Sequence, residues 1–262
     1  MKQRVIIAYD GSPDGKQALT LGNLLCKTFD AKPVIAYRGG ERVSEMDQGY
    51  FSNTGNKSPA RGLEMLTDKV RPMAIVVGSP GGNSDHVTSS SENRRILSTT
   101  KCPVAVAPPA SQALRGFSRI CVAVNGHRAS YRALDQAASM ARFLGVSLRI
   151  VSVLESGSVG RTPNSSLNRA RVKRATRILE EAAARVPADV NVELDGLVGD
   201  PAERLGEYSN DQDLMVVGSQ ANRRFGPSLR RGIPAYLMEH ARCPLLVTPH
   251  GSPSESRSVS FA

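Results

Sequence analysis

The sequence predicts an α/β protein of two related halves, each a flavodoxin/Rossmann-like domain with a parallel five-stranded sheet of order 3-2-1-4-5. Three observations carry this. The first is an internal echo. Ala74–Pro108 and Leu214–Pro249 both open on an apolar run ending in Val-Val-Gly-Ser, cross a polar loop and a helical stretch, and close on Cys-Pro, a second apolar run and a Pro. From Gly78 to Gly218 is 140 residues and from Cys102 to Cys243 is 141, so about 35 residues agree with one residue of slippage, which marks a duplication. The second is that both halves begin strand, turn, helix, strand. The third is that the short apolar runs are continuous rather than alternating, as in strands covered on both faces.

Along the first half, Arg4 to Tyr9 reads as a buried strand and Asp10-Gly-Ser-Pro-Asp as turn chemistry. Pro13 suits the first turn of a helix, where its missing N–H removes no bond. Ala18, Leu21, Leu25 and Phe29 mark that helix, and Pro33 to Tyr37 the next strand. In the second half Ile120 to Val124, Asn125-Gly-His-Arg-Ala, the Ala133–Leu144 helix and Leu148 to Leu154 repeat the pattern at an offset of 115, the distance from Asp10 to Asn125.

The offset then grows to 140, so the second half holds 25 more residues before its Val-Val-Gly-Ser. A helix over about Ser165 to Val186, a strand over about Val190 to Leu197 and Gly199-Asp200-Pro201 opening a third helix fill that space. The first half has residues 39–59 instead, a polar Gly/Asn/Ser-rich stretch that reads as a long loop, followed by a short helix over about Ala60 to Val70. The expectation is a first domain lacking about one helix and one edge strand. Such a loss is tolerable because the third strand of a 3-2-1-4-5 sheet lies at its edge. The predicted layout is a trimmed domain over 1–109, a linker over 110–118, a full domain over 119–250 and a disordered Ser-rich tail over 251–262. The final strands, Val104 to Ala107 and Leu245 to Thr248, are the expected seam of an intramolecular pseudo-dimer.

Composition narrows the function classes. The 262 residues are 40% apolar and 22% charged, ordinary globular usage. No apolar run approaches the roughly 18–20 residues of a membrane span, and the N-terminal one is too short for a signal peptide core, so a cytoplasmic protein is expected. The net charge of +10 is spread over both halves, and Arg169, Arg171, Lys173, Arg174 and Arg177 fall on more than one helix face, which reads as solvated surface. With 5% aromatics and no Trp, nothing indicates specific nucleic-acid binding. Cys26, Cys102, Cys121 and Cys243 form no metal spacing and read as buried reduced thiols. His86, His127, His240 and His250 are scattered, and G-x-S-x-G is absent around Ser79. No catalytic constellation emerges and no metal site is expected.

The chain resembles the universal stress protein family in its tandem two-domain form. The resemblance rests on Tyr9-Asp10-Gly11-Ser12, Gly199-Asp200-Pro201, the two Val-Val-Gly-Ser exits and the closing helix, Cys-Pro and strand. It covers nearly everything except 39–59 and the tail. One class of that family binds ATP. Its pattern after the fourth strand is Gly, two residues, Gly, nine residues, Gly and a Ser or Thr, in which backbone N–H groups cradle phosphates at a helix N-terminus. The Asp after the first strand contacts the nucleoside end. The resemblance implies Asp10, Gly78, Ser79, Gly81, Ser90 and Ser91 as cofactor-binding candidates in the first half, with Ser90-Ser91 replacing Gly-Ser. In the second half it implies Asn125, Gly218, Ser219 and Gly232, with Asn125 in place of Asp and Ala221 in place of the second Gly. There Arg223, Arg224, Arg230 and Arg231 offer charge without the glycine geometry.

Neither half retains the full pattern. The expectation is therefore a stress-response regulatory binding protein with degenerate nucleotide sites and no catalytic cycle. The alternative is an ATP-binding member with weak or no ATPase activity that uses mainly the first site. A third reading is an adaptor whose protein partner docks on 39–59 or a sheet edge. A homodimer is compatible with each.

Overall fold

The computed structural model describes residues 2–37, 50–53, 59–79, 90–109, 112–114, 116–155, 166–219 and 232–249. The first half runs β1 (Arg4–Tyr9), α1 (Pro13–Thr28), β2 (Lys32–Tyr37), β3 (Tyr50–Asn53), α2 (Pro59–Val70), β4 (Ala74–Val77), α3 (Ser90–Thr99) and β5 (Val104–Val106). The second runs β6 (Ile120–Ala123), α4 (Arg128–Leu144), β7 (Leu148–Glu155), α5 (Ser166–Ala183), β8 (Val192–Gly199), α6 (Pro201–Tyr208), β9 (Leu214–Gly218), α7 (Ile233–His240) and β10 (Leu245–Thr248).

All ten strands form one sheet, ordered β3-β2-β1-β4-β5-β10-β9-β6-β7-β8. Each half contributes the predicted 3-2-1-4-5 order with parallel pairing, and the halves meet where β10 runs antiparallel to β5, with Leu246 opposite Ala105. The seam lies at the two final strands, as expected. One detail is corrected. The first half keeps its edge strand: β3 pairs parallel with β2, Tyr50 opposite Val34 and Asn53 opposite Tyr37. It falls inside the stretch read as a loop, because four residues bounded by polar, Gly-rich sequence carry no periodicity. The expected loss of a helix falls on residues 38–49, and the reading of 251–262 as a tail on the C-terminus; both lie outside the described residues.

The local chemistry explains the elements. Val5 to Ala8 are buried because helices cover both sheet faces. Ser12 caps α1, its Oγ accepting from Gly15 N at 2.9 Å, and Pro13 takes the first turn. The buried stripe Ala18, Leu21, Gly22 and Leu25 then lays α1 on the sheet. Asp200 does the same for α6, accepting from Ala202 N at 2.9 Å and Glu203 N at 3.1 Å. Two apolar layers result. Residues of α1, α4 and α5 fill one, and residues of α2, α3, α6 and α7 the other, each running across both halves. Fully buried Ile6, Ile7, Ile75, Ile120, Ile150 and Met215 anchor them, each contributing about 1.5–3 kcal/mol through burial. The four cysteines are buried and free. Burial pushes the Cys26 thiol up to about 11 and those of Cys102 and Cys243 up to about 12, and it raises Cys121 as well.

The halves are tied together beyond the strand pair. Ser79 Oγ donates to Met238 O at 3.1 Å, Gln17 Nε2 donates to Gln112 O at 2.6 Å, and Phe29 and Phe143 meet with ring centroids 5.3 Å apart. At the start of the second half Asp213 accepts from Ser118 N at 3.2 Å, Arg119 N at 2.9 Å and the Arg119 guanidinium at 3.0 Å.

Candidate functional site

In a sheet of this order the crevice lies beyond the C-terminal ends of the strands, where strands one and four diverge. In the first half Asp10 stands at the end of β1. Gly11 follows with φ +80°, a conformation that favours glycine. One Asp10 oxygen, Oδ1, accepts from Ser12 N at 3.0 Å and from Ser12 Oγ at 2.5 Å. The other, Oδ2, is buried and has no partner among the described residues. Gly15 keeps room for this carboxylate, since a Cβ there would lie 2.3 Å from Asp10 Oδ1. The first turn is thus built around Asp10, with one acceptor oxygen left over.

Gly78 leaves β4 against the start of α1. A Cβ on it would fall 2.7 Å from Asp14 O and 2.8 Å from Asp14 C, which are backbone atoms. Its carbonyl accepts from Asn93 Nδ2 at 3.0 Å; Asn93 is fully buried and its Oδ1 is unpartnered. Ser79 is buried, with its hydroxyl bonded across the seam to Met238 O. Ser90 is the first residue of α3 and Ser91 follows it. Their side chains, Gly81 and the rest of 80–89 lie outside what is described. The structure therefore brings Asp10 and Gly78 to one end of the sheet and turns Ser79 toward the other half.

The second half repeats the frame with different chemistry. Asn125 follows β6, and Gly126 repeats the φ of +80°. Asn125 Oδ1 accepts from His127 N at 3.1 Å, so this side chain closes its own turn. Ser130 Oγ, which donates to His127 O at 2.8 Å, accepts from Asn125 N at 3.3 Å. A Cβ on Gly218 would meet Ala129 O at 2.3 Å and Ala129 C at 2.5 Å. Ser219 N donates to Thr248 O at 2.9 Å and extends the sheet. Gly232 stands at the N-cap of α7, exposed, in a conformation open to other residues. His127 precedes α4 and makes no side-chain cap bond; the exposed His240 stacks on Tyr236 with centroids 3.9 Å apart. His86, His250 and the arginines at 223, 224, 230 and 231 lie outside the described residues.

A cleft of about 120 Å³ opens at this end of the second half. Its walls are Val124, Val151, Val153, Leu205, Ile233 and Pro234, with Asn125, Ser130, Glu155 and Gly218 as polar or backbone contacts. Asn125 and Gly218 of the expected set line it, whereas Ser219 and Gly232 do not. Sequence reasoning missed Glu155, a strand-end carboxylate with no motif around it, and Gly15, whose need for space depends on where Asp10 points. Among the described residues, no group of three or more His, Cys, Asp or Glu is placed to hold a metal ion.

Residues 116–249 match the profile of the Universal stress protein family. The chain belongs to this family. No curated protein matches it. A universal stress protein from Archaeoglobus fulgidus is similar in structure at 14% identity and TM-score 0.65, over 95% of this chain and 98% of the other. A second, from Pseudomonas aeruginosa, matches at 12% identity and TM-score 0.63, over 95% and 93%. These full-length likenesses show the fold. A universal stress protein in complex with cAMP matches half of the chain, 51%, at 24% identity and TM-score 0.41. No helix among the described residues is long and apolar enough to cross a membrane.

Proposed function

We propose that this is a regulatory, non-enzymatic universal stress protein with two unequal, degenerate nucleotide sites. The supporting observation is the difference between the two strand-end residues. In both turns Oδ1 accepts from the N–H two residues on, but the second position is a buried carboxylate oxygen without a described partner in Asp10 and an amide Nδ2, a donor, in Asn125. A buried, unsatisfied carboxylate oxygen is costly unless a donor reaches it. A sugar hydroxyl of a nucleoside is a donor of the right kind, and the resemblance places the nucleoside there. Asn125 lacks that charge and has less acceptor capacity left.

The phosphate cradle is weak in both halves on this reading. Gly78 and Gly218 are accounted for by the backbones of α1 and α4, which press on them, so neither indicates phosphate by itself. Among the described residues the cleft of the second half has apolar walls and one carboxylate, Glu155, a lining that suits an uncharged base or nucleoside. The alternative, ATP held mainly by the first half, is favoured by Asp10 Oδ2 alone. ATP-Mg would there be bound by Asp10 and the α3 N-terminus, and no hydrolytic step is assigned to these residues. The protein purified without added nucleotide, denatured and resolved by anion-exchange chromatography tests this. Substoichiometric nucleotide that disappears in Asp10→Ala is expected. A full equivalent per half, or one retained in Asp10→Ala, contradicts the proposal.

A further inference from the structure

The two edges of the sheet are unlike. One is β3, four residues long. The other is β8, eight residues, with Leu194 44% and Val198 56% exposed. Val192 packs into the apolar layer under α5, and Leu197 into the opposite one. By strand alternation Leu194, Gly196 and Val198 share the α5 face. Among the described residues a Cβ on Gly196 would meet nothing within 4 Å. The helix above it turns Ile178 and Glu181 toward β6 and α4, where they approach Gly126 and Tyr131. At 100° per residue, Val172 and Thr176 fall on the other flank, toward β8, with Lys173 and Glu180 farther round on the outer side of the helix. Val172 is 53% exposed there.

We propose that this edge is the interface of a twofold homodimer, β8 pairing antiparallel with β8 of a second copy about Gly196. Three features fit a second copy of this chain. Leu148 N donates to Asn191 O, so the N–H and C=O groups of 192, 194, 196 and 198 point away from β7. A register centred on Gly196 therefore uses the outward groups of 194, 196 and 198 and sets Leu194 opposite Val198 of the other copy, twice. It also sets Asp195 opposite Leu197 and Glu193 opposite Gly199, so no carboxylate faces its own image. Above the strands, Lys173 and Glu180 lie two turns apart on one stripe. Antiparallel apposition of two such flanks brings each Lys173 to the other copy's Glu180, with Thr176 near the axis. Because β3 is short and different, the contact closes as a dimer and does not propagate.

Sedimentation velocity on the full chain at tens of micromolar tests this. A particle of twice the 28.0 kDa chain mass is expected. Leu194→Lys combined with Val198→Lys, and separately Gly196→Pro, which removes an outward N–H, give monomers with an unchanged circular dichroism spectrum. Lys173→Glu or Glu180→Lys weakens the dimer roughly tenfold, since two exposed pairs each reverse sign, and the combined swap restores it. A full chain at 28.0 kDa throughout, or a dimer indifferent to all of these changes, overturns the proposal.

Discussion

Replacing Gly218 with Ala separates a glycine kept for packing from one kept for phosphate. The added Cβ would sit 2.3 Å from Ala129 O and 2.9 Å from Ser130 N, in the first turn of α4. That is roughly 1 Å inside ordinary contact, and the obstructing atoms are backbone, so relief requires moving the helix start off the sheet. Such overpacking costs about 1–3 kcal/mol. For a chain of this size 1 kcal/mol shifts Tm by roughly 2–4 °C, so a fall of roughly 2–12 °C is expected by differential scanning calorimetry. Gly78→Ala, whose Cβ would lie 2.7 Å from Asp14 O, should fall by less. Gly116→Ala, with nothing within 4 Å of the added Cβ, is the control and should be neutral or slightly stabilising. The reasoning is refuted if Gly218→Ala melts with the unmodified protein while nucleotide binding drops, because the glycine would then serve the ligand and not the helix.

Further outcomes follow from the same coordinates. Removing the Asp200 cap by Asp200→Ala deletes acceptors for Ala202 N and Glu203 N and should cost about 1 kcal/mol in urea unfolding. Asp213→Ala removes the acceptor of the Ser118 and Arg119 N–H groups and should cost about 0.5–1.5 kcal/mol by the same assay, with its Asn variant recovering part of the loss. The buried thiols should resist a thiol reagent in the native state at pH 8 and react as four groups after denaturation; rapid native labelling of Cys102 or Cys243 contradicts their burial. Their raised values also set an alkaline limit. The stability they carry is complete below the unfolded value near 9.0 and is lost as pH rises toward about 12. Cys102→Ala should therefore flatten the fall in stability above pH 9, whatever it costs near neutrality.

The architecture was legible because it is written twice. The Val-Val-Gly-Ser exits and Cys-Pro-strand closures located β4, β5, β9 and β10, and their duplication pointed to the seam at which β5 and β10 pair. What escaped was what depends on distant neighbours. Tyr50–Asn53 becomes a strand only because β2 offers an edge to pair with. Ser79 reads as a loop hydroxyl, yet its partner, Met238 O, is 159 residues away across the seam. A glycine after a strand signals close approach, but the sequence does not say whether a phosphate or a helix does the approaching. At Gly78 and Gly218 it is the helix.

Calorimetric titration of the full chain with ATP-Mg, beside Asp10→Ala and Asn125→Ala, tests the inequality of the two sites most directly. At most one equivalent is expected, abolished by Asp10→Ala and untouched by Asn125→Ala. Two equivalents of similar affinity, or one that survives Asp10→Ala, contradict it.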